Sequence, residues 1–292
     1  MNFREKILYR FQLLNVAEKL IALNVLFFVL PLLINTFLYL FKIPIDSYII
    51  WFQLSSSFGE LVFKPWTLIT YSFLHSGFFH LFFNMYIFLF ASRLFLNLFK
   101  SNSLLNVYFL GIIVGGLLFL FSYNFFPVFE NSKPYMIGSS AGVMSLLIFM
   151  STYSPNIEVR LILLNVKLLY IGIAFIMLDV IQIPYGNAGG HIAHLGGALL
   201  GFIYANKLKN GVDIGLPFER IVLKVSTLFQ FNKTKMNMVY KNKSGKKSIV
   251  RNDNNSETNQ KKIDEILDKI NSSGYESLSK KEKDFLFKAG NK

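Results

Sequence analysis

The feature that most constrains this chain is an uncharged run of 22 residues from Leu20 to Phe41. About 20 mainly apolar residues suffice to cross the hydrocarbon core of a bilayer as a helix. The run is too long, and begins too late, for a cleaved signal peptide, so we expect a retained membrane helix. Hydrophobic residues make up 53% of the 292 residues and charged residues only 16%. That balance is unlike a soluble domain and predicts a membrane protein.

Five further segments have the same apolar character, although the fourth and fifth of the six are short. The predicted spans are Leu20–Phe41, Gly77–Leu98, Leu104–Val128, Ser139–Tyr153, Leu168–Ile183 and Gly190–Asn206. A helix pairs its backbone N–H and C=O groups within one segment, as the interior of a bilayer requires. We therefore predict an all-α membrane protein, with a six-transmembrane-helix bundle over residues 1–206.

Lysine and arginine residues in the short loops indicate the orientation, because cytoplasmic loops carry an excess of them. With the N-terminus inside, eight of these residues in 1–206 fall on the inner side, and only Lys42, Lys64 and Lys133 fall on the outer side. We expect an integral multi-pass protein with N- and C-termini cytoplasmic, and a bacterial inner membrane as its location. Helices two, four and six then begin at the outer face.

Residues 207–292 form a cytoplasmic C-terminal tail of different composition, with 19 Lys and Arg against 10 Asp and Glu. The positive excess lies in 207–251, directly after the last apolar segment. Anionic membrane lipids explain it more simply than nucleic acid, which we do not expect as a partner. We predict a basic linker over 207–261 that is disordered from Lys233 onward.

The last part of the tail, residues 262–292, is predicted to form a short amphipathic helical segment. Its apolar residues recur at helical spacing, at Ile263, Ile266, Leu267 and Ile270. Ser279 and Glu282 have the spacing of a capping box at the start of a second helix. A unit this small buries little core alone, so we expect it to pack on a cytoplasmic partner.

The four histidines of the chain lie in two short motifs. FLHSGFFHLFFNM holds His75 and His80 at the start of the second helix, and GGHIAHLGGALLG holds His191 and His194 at the start of the sixth. Ser140, in the stretch GSSAG, begins the fourth helix. Polar side chains in a bilayer normally face the bundle interior or a wet cavity. The sequence therefore predicts one wet pocket near the outer face.

A serine hydroxyl becomes a nucleophile when a base takes its proton, and a neutral imidazole is the usual base. Ser140 and His194 are the predicted dyad. Attack on a peptide carbonyl also develops negative charge on its oxygen, which needs fixed donors. His80 and Asn84, spaced i and i+4 on one helix face, are the predicted donors together with the Ser140 backbone N–H.

Glycines flank both members of the predicted dyad. Gly197 and Gly201 form a G-x-x-x-G face on the sixth helix, and Gly138 and Gly142 lie on either side of the serine. Small residues allow two helix backbones to approach closely in a membrane. We expect helices four and six to pack closely enough to bring serine and histidine within reach.

These motifs, in this order, resemble the rhomboid intramembrane serine proteases. The resemblance rests on G-x-S-x at Gly138–Ala141, H-x-x-x-N at His80–Asn84 and A-H-x-x-G-x-x-x-G at Ala193–Gly201, and it extends over roughly residues 20–206. Each motif is weak alone, and the three in register are specific.

The resemblance implies a serine endopeptidase with a rhomboid-like fold. It implies that Ser140 is the nucleophile and His194 the general base, with no acidic third member. It gives His80 and Asn84 the role of oxyanion donors. The implied substrates are transmembrane segments of membrane proteins, cut near the outer membrane face, and no cofactor is implied.

Other interpretations of these residues stay open. Ser139 and Ser140 also suit a helix cap, and His80 and Asn84 also suit a polar contact between helices. A catalytically silent relative that binds transmembrane clients, or a transporter with a polar site at mid-depth, are the alternative functions. The position of the polar groups near the outer end favours the protease over the transporter.

Two further polar features need an interpretation. The pair His191-x-x-His194 suggests zinc, but no acid lies between the two histidines and the sequence shows no third ligand, so we expect no metal. Asp179 is the only acid within a predicted span. It lies outside the motifs, and we expect it to make a structural hydrogen bond.

Overall fold

The computed structural model describes residues 2–43, 48–161, 164–228 and 254–290. The chain separates into two compact units, residues 1–231 and residues 232–292. The helices of the first unit are α1 Phe3–Leu13, α2 Val16–Leu40, α3 Phe58–Phe63, α4 Thr67–Thr70, α5 Phe78–Leu96, α6 Ser101–Phe125, α7 Ser140–Tyr153, α8 Leu168–Gln182, α9 Ala188–Lys209 and α10 Leu216–Leu228. Those of the second unit are α11 Asn254–Ser273 and α12 Lys280–Gly290.

Short strands and 3₁₀ turns connect the helices. The strands are β1 Leu54–Ser55, β2 Tyr135–Met136, β3 Glu158–Leu161 and β4 Leu164–Lys167. β1 pairs with β2 and β3 with β4, both antiparallel. The 3₁₀ turns are Ile49–Trp51, Tyr71–Phe73, Pro127–Phe129, Ile183–Tyr185 and Tyr275–Ser277.

Four helices in the described part of the chain are long and apolar enough to cross a membrane. They are α2, α5, α6 and α8 together with the turn that follows it, and they coincide with the first, second, third and fifth predicted spans. The fourth predicted span forms α7, which has only 14 residues. The sixth forms α9, whose glycine, histidine and asparagine residues lower its hydropathy. The count of six spans therefore stays a prediction.

The first long helix, α2, begins at Val16, earlier than the predicted Leu20. The Asn15 side chain accepts hydrogen bonds from the N–H groups of Ala17 and Glu18, at 2.9 and 3.0 Å. The Glu18 carboxylate in turn accepts from the Asn15 N–H at 2.8 Å. This capping box pairs N–H groups that the first helical turn leaves free, so the helix begins before its apolar run.

The core of the first unit lies where α6, α7 and α9 meet. Every residue of α7 from Ala141 to Ser151 is buried, because other helices surround it. A Cβ atom added at Gly115 of α6 would lie 2.6 Å from the Ala141 Cβ and 2.6 Å from the Ala193 carbonyl oxygen. Only a residue without a side chain fits there, and it lets the three helices approach each other.

The segment before α7 is fixed by the loops and by α6. Leu54 of β1 is paired with Met136 of β2, two residues before Gly138. The Gly138 N–H donates to the Tyr71 carbonyl oxygen at 3.0 Å, and the Tyr71 hydroxyl donates to the Ile112 carbonyl oxygen at 2.8 Å. The start of α7 is therefore held in one position relative to α6.

The predicted linker over 207–261 differs from the structure at both of its ends. Helix α10 lies within it and belongs to the first compact unit, where the Asn102 side chain donates to the Glu219 carboxylate at 2.7 Å. Helix α11 begins at Asn254 instead of residue 262, because polar residues extend a helix once its downstream apolar face has formed. Residues 229–253, which include most of the predicted disordered stretch, lie outside the described residues.

The second unit is a pair of helices joined by a 3₁₀ turn. Ile266 of α11 and Leu278 before α12 are buried, and Lys269 donates to the Glu282 carboxylate at 3.0 Å. The Ser279 N–H donates to the same carboxylate at 2.7 Å, and the Glu282 N–H donates to the Ser279 hydroxyl at 3.4 Å. The predicted capping box is confirmed.

Candidate active site

A cavity of about 910 Å³ opens between the helices of the first unit. Helices α5, α6, α7, α8 and α9 all contribute to its wall. The four residues predicted to react or to bind the oxyanion all line it: Ser140, His194, His80 and Asn84. Aromatic side chains, among them Phe79 and Phe83, cover much of the rest. The cavity thus combines a few polar groups with an apolar wall, as ligand sites commonly do.

Ser140 is the first residue of α7. Gly138, two residues earlier, has a φ of 123°, a left-handed conformation that favours glycine. A Cβ atom added at Gly138 would lie 3.0 Å from His80 Nε2 and 3.6 Å from Ser140 Oγ. A glycine is therefore required at this turn both for its backbone conformation and for the space beside the two polar groups.

The neighbouring Ser139 occupies the N-cap position of α7, but its side chain makes no capping hydrogen bond. Its hydroxyl lies 3.2 Å from His75 Nε2 instead. Ser140 lines the cavity. The capping interpretation of these two serines therefore has no support in their side-chain contacts.

His80 of α5 has a defined tautomer. The Ser76 N–H donates to His80 Nδ1 at 3.4 Å, and the Ser76 hydroxyl lies 3.0 Å from the same nitrogen. Because Nδ1 accepts a hydrogen bond, the proton of a neutral His80 ring is on Nε2. That N–H, beside Gly138, is available as a donor at the cavity wall.

Asn84, one helical turn further along α5, is buried but lines the same cavity. Its side-chain amide donates to the His80 carbonyl oxygen at 2.8 Å. An asparagine amide has two N–H donors, so one remains after this bond. The bond also fixes the side chain along the face of α5 that carries His80.

His194 of α9 is hydrogen-bonded to an acidic residue of α8. Its Nδ1 lies 2.8 Å from Asp179 Oδ1, and His191 Nδ1 lies 2.8 Å from the same oxygen. All three side chains are largely buried, with 8% of Asp179, 13% of His191 and 21% of His194 exposed. The family resemblance implies no acidic third member, whereas the packing of α8 beside α9 brings the carboxylate of Asp179 against His194.

The predicted residues share one cavity, but not all of them are in contact. Among the hydrogen bonds of the described residues, none joins Ser140 Oγ to His194. Catalytic hydrogen bonds are often long in a protein without substrate and shorten when substrate binds. Ser140 and His194 therefore line one cavity without a hydrogen bond between Ser140 Oγ and the imidazole.

Asp179, His191 and His194 also form the kind of group that can hold a metal ion. One ligand atom from each lies within 4.8 Å of the others. Two imidazoles and a carboxylate are suitable zinc ligands, so α8 supplies the third ligand that the sequence did not show. The expectation that no metal binds was based on the lack of a third ligand in the sequence. Whether a metal binds stays untested.

The contact of Asp179 with His194 was missed by sequence reasoning. The expected hydrogen bond of Asp179 is present, but its partner is the predicted general base. The sequence did contain one indication of this contact, because Asp179 is the only acid within a predicted span and such an acid is a functional candidate by default.

Comparison with family models gives two matches. The model of the Rhomboid domain matches residues 62–210, a little over half of the chain, and this range contains every residue of the candidate site. A family of unknown function, DUF6576, matches residues 252–288 in the second unit. No curated protein matches the chain. The chain belongs to the rhomboid family.

Proposed function

We propose that this protein is an intramembrane serine endopeptidase that cleaves transmembrane segments of membrane proteins near the outer membrane face. The observation that carries the proposal is the shared cavity, in which a serine hydroxyl and an imidazole lie among helices apolar enough to span a membrane. The family is generally one of intramembrane serine proteases.

In the proposed reaction, Ser140 Oγ attacks the carbonyl carbon of the scissile peptide bond. Its proton passes to His194 Nε2 while the carbonyl electron pair moves to the oxygen. The resulting imidazolium then gives the proton to the leaving amine nitrogen as the C–N bond breaks. Water then attacks the acyl carbon while His194 Nε2 takes its proton. The imidazolium gives this proton to Ser140 Oγ as the acyl C–O bond breaks, which releases the carboxyl product and restores the serine.

The negative oxygen of the tetrahedral intermediate needs donors that are already oriented. The Nε2–H of His80 is one, since Ser76 holds the opposite nitrogen of that ring. The second N–H of Asn84 and the backbone N–H of Ser140 are the other proposed donors. The residues that carry these groups line the cavity from α5 and α7.

The proposed membrane arrangement has six spans, with α7 and α9 added to the four long helices. Helix α7 is short, but the other helices bury nearly all of it. Helix α9 has 22 residues and a lower hydropathy, and it buries the face that carries Gly197 and Gly201. The excess of Lys and Arg on one side supports cytoplasmic N- and C-termini, and the proposed location is a bacterial inner membrane. The site then lies near the outer face, where an unwound segment of a substrate can enter.

A catalytically silent rhomboid protein that binds transmembrane clients is the second candidate. One observation favours it: no hydrogen bond among the described residues joins Ser140 to His194.

The two candidates are tested by incubating the detergent-solubilised protein with a labelled transmembrane peptide, with the Ser140→Ala variant assayed in parallel. Cleavage by the wild type and not by the variant supports the protease. Equal cleavage by both excludes Ser140 as nucleophile, and binding without cleavage supports the silent relative.

A further inference from the structure

A buried carboxylate lies behind the histidine of the proposed dyad. Asp179 is buried and lies on α8, one of the helices apolar enough to span a membrane. An ionised carboxylate in such a place is costly unless it is paired. Here the compensation comes from two imidazoles, whose Nδ1 atoms each lie 2.8 Å from Oδ1.

The two contacts give distances and not donors, so the tautomers of both rings follow from the charge of the carboxylate. An ionised carboxylate only accepts, so each imidazole donates from Nδ1. A neutral His194 then carries its proton on Nδ1 and keeps a lone pair on Nε2. A general base for Ser140 needs that lone pair, and the partner of the opposite nitrogen is what selects it.

We propose that Asp179 is a positioning residue for His194. In the reacting protein, Asp179 contacts His194 and His194 contacts Ser140. Asp179 holds the imidazole in its Nδ1–H tautomer and orients the ring. It also stabilises the imidazolium that forms when Nε2 takes the Ser140 proton; Asp179 itself keeps its charge throughout. This inference rests on the proposed protease function.

His191 has a supporting part in the same arrangement. Its Nδ1–H is the second donor to Asp179 Oδ1, while Oδ2 has no hydrogen-bond partner among the described residues. The carboxylate therefore depends on these two imidazoles for its orientation. Removing His191 leaves the bond from Asp179 to His194 in place, so His191→Ala is expected to reduce the rate less than a change of Asp179.

A metal ion is the competing occupant of the cluster. Zinc on Nδ1 of His194 would displace the proton to Nε2, and the ring could no longer accept the proton of Ser140. The hydrogen-bonded arrangement is favoured because both nitrogens converge on a single carboxylate oxygen at hydrogen-bond distance. The two alternatives predict different tautomers and opposite effects of added zinc.

The direct test is ¹⁵N nuclear magnetic resonance of histidine-labelled protein, since the chain has only four histidines. Single substitutions of His75, His80 and His191 assign the signals. Near pH 8 the wild type is expected to show His194 as the Nδ1–H tautomer and His80 as the Nε2–H tautomer. Asp179→Asn is expected to change the His194 signal and leave that of His80 unchanged. A His194 ring protonated on Nε2 in the wild type would overturn the proposal.

Kinetics in detergent supply the second test. Asp179→Asn is expected to lower kcat by about 10²–10⁴-fold, by analogy with the Asp→Asn change in the serine protease triad. KM and the melting temperature should stay close to the wild type, whereas a purely structural role would lower the melting temperature and change KM. Labelling of Ser140 by a fluorophosphonate should slow in parallel with kcat.

Asp213→Asn is the matched control. The Asp213 carboxylate also accepts two hydrogen bonds, from the Tyr204 hydroxyl and the Gly215 N–H. It lies beyond the end of α9, whereas His194 lies in the first part of that helix. The change should leave kcat unaltered. If Asp179→Asn cleaves as fast as Asp213→Asn, Asp179 does not position the base.

The outcomes separate this inference from the proposed function. A wild type that fails to cleave any transmembrane peptide defeats the protease proposal, and the tautomer measurement still decides whether Asp179 sets the His194 ring. A wild type that cleaves, with an Asp179→Asn variant equal to it, defeats only this inference. Activity that is lost to a chelator and restored by zinc would assign the cluster to a metal and overturn it.

Discussion

Gly197 of α9 lies directly against the backbone of Ala141 on α7. A Cβ atom added at Gly197 would overlap the Ala141 carbonyl oxygen and lie 2.8 Å from its carbonyl carbon. Backbone cannot move aside as a flexible side chain can, so any larger residue must separate the two helices. Ala141 follows Ser140, and Gly197 lies one helical turn beyond His194. The spacing of the proposed dyad therefore depends on this contact.

Gly197→Ala is expected to lower both the melting temperature and the cleavage rate. The added methyl group forces α7 and α9 apart, and overpacking of a dense core costs about 1–3 kcal/mol. Gly59→Ala is the control, because a Cβ atom there meets only the Ser57 hydroxyl at an ordinary 3.6 Å. Thermal melting and peptide cleavage in one detergent check the pair. Equal melting of the two variants would contradict the close contact.

His80→Ala is expected to lower kcat by about 10²–10³-fold with little change in KM. The lost Nε2–H donates mainly to the oxyanion of the transition state, and loss of one such donor has this effect in other hydrolases. Ser76→Ala should cost less, because the Ser76 N–H still donates to His80 Nδ1. Steady-state kinetics on a transmembrane peptide measure both. A His80→Ala variant with an unchanged kcat would remove His80 from the oxyanion site.

Much of the fold and of the site was predictable because the signals are local in sequence. Long apolar runs predicted the positions of the long helices, and the capping chemistry of Asn15 and Glu18 accounts for the earlier start of α2. Short motifs identified Ser140, His80, Asn84 and His194, which line one cavity. In each case the informative residues lie within a few positions of one another.

The contact of Asp179 with His194 and the formation of helix α10 were not predicted, because both depend on contacts between separate elements. Asp179 precedes His194 by a turn and a loop, and only the packing of α8 beside α9 brings the two together. Helix α10 lies within the basic stretch 207–251, whose composition indicated a linker, yet Glu219 on this helix accepts a hydrogen bond from Asn102 of α6. The spacing of the residues in the sequence predicts neither the contact of Asp179 with His194 nor that of Glu219 with Asn102.

The charge of Glu282 is expected to stabilise the second unit in a defined pH range. Hydrogen bonds from Ser279 and Lys269 lower the pKa of this exposed carboxyl to about 2. The unfolded value is about 4.3, so the stabilisation is complete above that pH and is lost as the pH falls towards 2. Nuclear magnetic resonance of the full-length protein in detergent, observed at residues 254–290, should show helix loss in this range. Glu282→Gln should flatten the curve, whereas Glu276→Gln should retain it.

The last prediction concerns which part of the tail the membrane unit needs. Asp213 accepts a hydrogen bond from the buried hydroxyl of Tyr204, so a chain that ends at Lys209 leaves that hydroxyl without its partner, at a cost of about 1–3 kcal/mol. A chain that ends at Phe231 keeps this bond and α10, and should melt and cleave as the full chain does. The Lys209 truncation should melt several degrees lower. Equal melting of both truncations would show that α10 and Asp213 do not support the bundle, and a large loss on truncation at Phe231 would show that the second unit does.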